Sequence, residues 1–240
     1  MNKAHPILFS APMVRAILAL EKSVTRRVVK PQPPESILYD PEMGYEGFIQ
    51  ELGEYRSEPC WIYGAHWGTQ PRPEVPVPTC PYGGPGDTLW VRETFAIHQK
   101  GSLTPYKGKV PEVPTPEFWE RYDLLYRATA KIDPDFPIFW RPSIFIRRWA
   151  SRITLRVVSV RVERLQDITE EDAIREGCSF DGRYYLGGLH AIKPSRKVFA
   201  NATLAFGDIW DSINGKKYPW ASSPWVWRVE FERVEGGLRP

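Results

Sequence analysis

Lys22 and Thr25 stand three positions apart in Glu21-Lys22-Ser23-Val24-Thr25-Arg26-Arg27. An amine beside a hydroxyl is the pair that proton transfer needs when a hydroxyl has to become a nucleophile. The segment lies where a short amphipathic stretch gives way to a β-branched run, a joint in which the backbone is partly free. Either both side chains turn toward one cavity, or the segment is a solvated basic turn.

A second chemical signal is Glu93. In Leu89-Trp90-Val91-Arg92-Glu93-Thr94-Phe95 it shares a strand face with Leu89, Val91 and Phe95. If those apolar residues are buried, a carboxylate points inward with them. Burying that charge costs several kcal/mol unless it meets Lys22, an arginine or a hydrogen-bonding ligand. The opposite phase, with Trp90 inward, leaves Glu93 in water.

A third signal is a run from residue 136 to 162 without an acidic residue, in which Arg141, Arg147, Arg148, Arg152, Arg156 and Arg161 alternate with Phe139, Trp140, Phe145 and Trp149. Guanidinium groups fork onto phosphates and aromatic rings stack on bases. The other reading is arginine stems packed over a tryptophan-rich core with their heads in water.

These residues need elements to hold them. Ser10-Ala11-Pro12 supplies a cap oxygen and a first-turn proline, and Met13, Ile17 and Leu20 follow at helical spacing; residues 24–29 then read as a strand. Residues 153–163 change phase between Ile153, Leu155, Val157 and Val158, Val160, Val162, which predicts a bulge or a strand buried on both sides. Trp225, Trp227, Val229 and Phe231 alternate with polar residues, which predicts one buried and one wet face. Thr169 with Asp172 opens a helix that Gly177 closes, and a longer helix is expected over 195–214, with a break or kink at Gly207. Thr115-Pro116 starts a fourth within a loop-rich stretch.

The Lys-Ser-x-Thr-x-Arg pattern after a short helix resembles the opening motif of the ASCH domains of the PUA-like superfamily. It is most similar to that of the small amidohydrolases that deacetylate N4-acetylcytidine. Gly86-Asp87-Thr88-Leu89-Trp90-Val91 resembles their turn into a central strand, and residues 165–177 their strand-to-helix element. The whole chain also resembles phage and prophage proteins of unassigned function that carry this domain. The resemblance implies an α+β fold, a small PUA-like β-barrel with flanking helices. It would be a single domain over 1–240, enlarged by loop insertions at about 31–85 and 97–150. It also implies catalysis by Lys22, Thr25 and Glu176, the threonine as nucleophile, the amine as its base and the glutamate orienting the lysine or protonating the leaving amine. Glu93, Arg26, Arg92, Arg141, Arg147, Arg148 and Arg152 would line the substrate site. The small enzymes carry glycine and a basic residue before the lysine; Leu20-Glu21 here places a negative charge beside it.

The expected partner is a modified nucleoside or a single-stranded nucleic acid. A noncatalytic RNA- or DNA-binding module is the alternative, and a nuclease a third. A net charge of +3 over 240 residues does not by itself announce a nucleic-acid protein. No stretch is long and apolar enough for a membrane span or signal peptide, and three cysteines do not suit a disulfide framework, so a cytoplasmic protein is expected. No cofactor and no metal are expected: Cys60, His66, Cys80, His98 and His190 lack zinc-site spacing. Gly83-Gly84-Pro85-Gly86 precedes a strand and reads as a turn, not a phosphate loop.

Overall fold

The computed structural model describes residues 2–32, 48–49, 60–62, 74–76, 79–131, 136–180, 182–186 and 197–234. The chain opens with β1 (Ala4–Leu8), α1 (Ala11–Leu18) and β2 (Val24–Val28). Pro12 occupies the first turn of α1, where its missing N–H is harmless, and Val14, Ala16 and Ile17 face the core. Leu20, expected on that face, is exposed instead, because the helix has already ended and Leu20 takes a left-handed conformation, φ 62°. Between β2 and the next strand of the main sheet, β3 (Phe48–Ile49), β4 (Cys60–Ile62) and β5 (Glu74–Pro76) form a small antiparallel sheet.

β6 (Thr88–Arg92) leads into the hairpin of β7 (Phe95–Gln99) and β8 (Tyr122–Tyr126), with α2 (Pro116–Arg121) between those two strands. The Thr115 hydroxyl caps α2 by accepting from Phe118 N–H. Phe95, Ile97, Val110, Ile146 and Ala150 give this segment a core of its own, on which Trp149 and Tyr126 pack.

β9 (Thr154–Arg164), α3 (Glu170–Arg175), β10 (Ser179–Phe180), β11 (Tyr185–Leu186), β12 (Val198–Phe199), α4 (Ala202–Asn214) and β13 (Trp225–Val234) complete the described elements. The long helix is shorter than its sequence pattern suggests: Asn201 caps it, Val198 belongs to a strand, and residues 195–196 lie outside the described residues. It does not break at Gly207, which instead permits close packing; a Cβ there would stand 3.2 Å from the Trp220 ring.

The principal sheet is mixed, in the order β1-β6-β9-β13-β2, with β1 parallel to β6 and the other pairs antiparallel. Register shifts where Phe231 pairs with Val157 and Glu230 with Ser159, so Val158 is the extra residue of a bulge and stands exposed. That bulge is the phase change in β9. One face of the sheet, with Leu89, Val91, Leu155, Val157, Trp227, Val229 and Phe231, closes over α1. The other face of β13 is not wet as its alternation suggests: Val226 packs under α4 and Arg228 is buried against α3. The protein is thus α+β. Among the described residues the backbone ladder does not close into a barrel, and β1 and β2 are its edges.

Candidate active site

Lys22 reaches its position through a tight reversal. The N–H groups of Glu21 and Lys22 both donate to Ala16 O, which turns the chain off the end of α1, and Ser23 N–H donates to Arg175 O on α3. The lysine stem then lies against Gly177, whose φ of 98° ends α3 and where a Cβ would approach Ala16 Cβ to 3.4 Å and Lys22 Cβ to 3.8 Å. Only glycine gives both that backbone angle and that room.

The Lys22 side chain is fully buried. Its Nζ donates to Glu176 Oε2 at 2.5 Å, Glu176 O at 2.8 Å and Val24 O at 2.8 Å. Ser23 O accepts from Phe231 N–H on β13, so by antiparallel alternation Val24 O points the other way, to the unpaired edge of β2. The amine therefore sits in the seam between the two sheet edges. Across the same seam Arg27 Nη2 donates to Leu8 O at 2.6 Å, and Phe9 lies between, its ring centre 6.0 Å from Lys22 Nζ and 5.1 Å from the Arg27 guanidinium carbon.

Burial pulls the Lys22 pKa below its ordinary value, opposed by the charge and hydrogen bond of Glu176. The same loss of water lowers Arg27, whose Nε is buried without a hydrogen-bond partner. Behind the amine runs a network of nine side chains, five cations (Lys22, Arg26, Arg161, Arg175, Arg228) and four carboxylates (Glu163, Asp172, Glu176, Glu230). Arg26 is expected to meet substrate; its side chain is instead fully enclosed and held by Glu163, Asp172 and Glu176. For both Asp172 and Glu230 burial alone would raise the pKa. Hydrogen bonds from Arg228 and Arg26 outweigh it at Asp172, holding that carboxyl well below its usual range, and bonds from Arg175, Arg228 and Ser159 bring Glu230 down to about 2.

A carboxylate lowered by folding contributes stability above its unfolded pKa and loses it as pH falls through the folded one. The contribution of these carboxylates to the urea midpoint should therefore be full above about pH 5 and decline steadily from about pH 4.5 toward 2. Unfolding curves at neutral and acid pH check this; a midpoint unchanged near pH 3 would show that the network does not hold the fold.

Thr25 is buried next to the Val24 carbonyl that Lys22 touches, but on the face of β2 opposite Arg26 and opposite Val229 in the register. It makes no hydrogen bond to Lys22 or Glu176 among the described residues. Lys22 and Glu176 are thus in contact, with Thr25 beside them but not engaged. Glu93 does face inward with Leu89, Val91 and Phe95, all nearly inaccessible. Its partner is Arg152, which forks onto it at 2.8 and 3.0 Å and stacks on Tyr126. These two, expected at the substrate site, satisfy each other.

A cleft of about 350 Å³ runs along the β2 edge and is lined by Arg27, Lys30, Tyr82, Tyr218 and Trp227 among others, with Lys22, Thr25 and Glu176 outside its lining. A larger one, about 650 Å³, gathers Arg92, Arg141, Arg147 and Arg148 around Trp90 and Phe145, and lies apart from Lys22. Arg27 and Tyr82 are residues that sequence reasoning passed over; the signal for Arg27 was strand alternation, which puts it on the Thr25 face. His98 stacks on Phe136 and Cys80 is a free thiol pushed up to about 11 by burial. His66, His190 and the Cys60 side chain lie outside the described residues. Among the described residues no three metal-ligating side chains cluster, and no helix is long and apolar enough to cross a membrane. Compared with protein-family models, with curated proteins and with solved structures, the chain finds no match.

Proposed function

We propose that this chain is an ASCH-type, PUA-like domain that hydrolyses the amide of an N4-acylated cytidine-type nucleoside or modified nucleic acid, with Lys22, Thr25 and Glu176 as the reacting groups. The observation that carries the reading is the contact of Lys22 with Glu176. Two motif residues 154 positions apart meet at 2.5 Å in a site almost without water. The barrel reading draws support from the bond between Arg27 and Leu8 O, which spans the two sheet edges that a barrel would join.

Burial draws the Lys22 pKa down toward the neutral amine, the form that can accept a proton, and Glu176 holds that amine in place. Thr25 Oγ1 attacks the acyl carbonyl while its proton goes to Lys22 Nζ, and Lys22 passes that proton by way of the Glu176 carboxylate to the departing exocyclic nitrogen of the base. Water then cleaves the acyl-threonine: Lys22 takes a proton from it, the hydroxide attacks, and Lys22 returns that proton to Thr25. Lys22 has to release Val24 O to reach the adjacent hydroxyl. The cleft along the β2 edge has the volume of a small-ligand site, and Arg27, Tyr82 and Trp227 give it a cation and aromatic walls for a nucleoside, whose acyl group would have to reach past Arg27 toward Lys22, since Lys22, Thr25 and Glu176 do not line the cleft.

The test is acyl release from a panel of N4-acyl cytidines and deoxycytidines by the purified full chain. Release that Thr25→Val abolishes supports the scheme; no release from any member of the panel refutes it. A noncatalytic binding module is the second reading, favoured by the three acceptors that already occupy the Lys22 amine.

A further inference from the structure

We propose that the cleft formed by Trp90, Arg92, Arg141, Phe145, Arg147 and Arg148 binds single-stranded nucleic acid, its arginines on the phosphates and its aromatic rings against the bases. The site is separate from Lys22, and the inference holds whether or not that residue is catalytic.

The arginines of the acid-free run sort into two kinds. Arg152, Arg156 and Arg161 each meet a carboxylate, Glu93, Glu232 and Glu163 respectively. The cleft, which Arg92 joins from β6, holds the arginines with neutral or weak partners. Arg92 Nη2 donates to Ile144 O, and Arg141 Nη2 donates to Gly108 O at 2.5 Å and to Tyr106 O at 3.4 Å, so both guanidinium groups are fixed by neutral carbonyls. Their Nε atoms are buried with no hydrogen-bond partner. Arg147 has only the exposed Glu112, 3.8 Å away, and Arg148 has no carboxylate partner among the described residues. With Lys109, five cations thus line one concavity against a single acid at its rim. Holding like charges together in this way is unfavourable until an anion enters.

The anion has an apolar part. Trp90 lies under the Arg92 and Arg148 guanidinium carbons at 5.5 and 5.9 Å, while Phe145 and Ile144 stand more than half exposed on the same wall. Exposed rings within a cationic groove are the combination that takes unstacked bases along a backbone, which a duplex does not present. About 650 Å³ exceeds what an inorganic phosphate fills.

Fluorescence anisotropy of dye-labelled oligo-dT and oligo-U with the full chain tests this between about 50 and about 200 mM salt. Saturable binding that weakens with salt is expected for one or both strands. The double variant Arg147→Ser/Arg148→Ser, in exposed side chains that a stable fold tolerates, should weaken binding about 10-fold or more at low salt. It should also flatten the log–log salt slope by about 1.4, two phosphates at about 0.7 each. Phe145→Ser should weaken binding about 5-fold or more and leave that slope unchanged, the mark of stacking. Absence of saturable binding at low salt, wild-type affinity in the double variant, or equal competition by polyglutamate would overturn the proposal.

Discussion

Lys22→Met should lose acyl release by at least about 10³-fold and should also destabilise the protein by about 3–5 kcal/mol. The second effect follows from geometry alone: without the amine, Glu176 keeps a buried charge whose next nearest cation, Arg26 Nη1, is 3.5 Å away. A single substitution therefore confounds chemistry with folding. The double variant Lys22→Met/Glu176→Gln separates them, since it removes both charges and leaves an amide that still accepts from Arg26. Urea unfolding should show the double variant recovering to within about 1–2 kcal/mol of the parent, because replacing a whole buried pair is nearly neutral. Its acyl release should stay at background. A folded double variant with activity within tenfold of the parent would exclude Lys22 and Glu176 from the reaction.

Asp172→Ala should be among the most damaging changes outside the apolar core. The carboxylate accepts from Arg26 Nη2 at 2.7 Å, from Arg228 Nε at 2.6 Å and from Arg228 Nη2 at 2.7 Å, and its N–H is the one that the Thr169 hydroxyl caps. Truncation removes the carboxylate shared by Arg26 and Arg228, which face each other across the β2–β13 register, and leaves Arg26 with Glu163 and Arg228 with Glu230. Removing one partner of a buried ion pair costs about 3–5 kcal/mol, or roughly 6–20 °C in thermal midpoint for a chain of this size. Asp172→Asn, which keeps an acceptor, should fall between. Thermal scans of the two variants decide the matter, and a shift below about 2 °C for Asp172→Ala would mean that water already reaches the arginines.

The link to function is that the same network fixes the reacting groups. Asp172 and Glu176 lie one turn apart on α3, so whatever holds Asp172 against Arg26 and Arg228 also sets Glu176 over Lys22. Lys22 itself is anchored through Ala16 O and Gly177. The seam between β1 and β2 is thereby positioned by two short helices packed on opposite faces of one sheet, α1 with the apolar face and α3 with the charged one.

Local signals were legible from the chain itself. The Thr115 and Thr169 caps, the Pro12 helix start, the Gly177 stop, the phase change at Val158 and the inward phase of Glu93 all depend on residues within a few positions of each other, and local sterics and hydrogen bonding decide them. Tertiary structure decided what the distant faces meet. The polar positions of β13 read as solvent-facing because a strand's pattern does not reveal a helix laid across it; α3 and α4 made Val226 and Arg228 interior. Six arginines in one acid-free run look alike in sequence. Only the approach of Glu93 and Glu232 from other elements, with Glu163 on the strand of Arg161 itself, separated the structural ones from those left in the cleft. The Lys22–Glu176 contact required α1, β2 and α3 to be brought together across 154 residues. A lone lysine or glutamate carries no sign of that partner, because the loss of water that makes the pair distinctive arises only when the folded faces close.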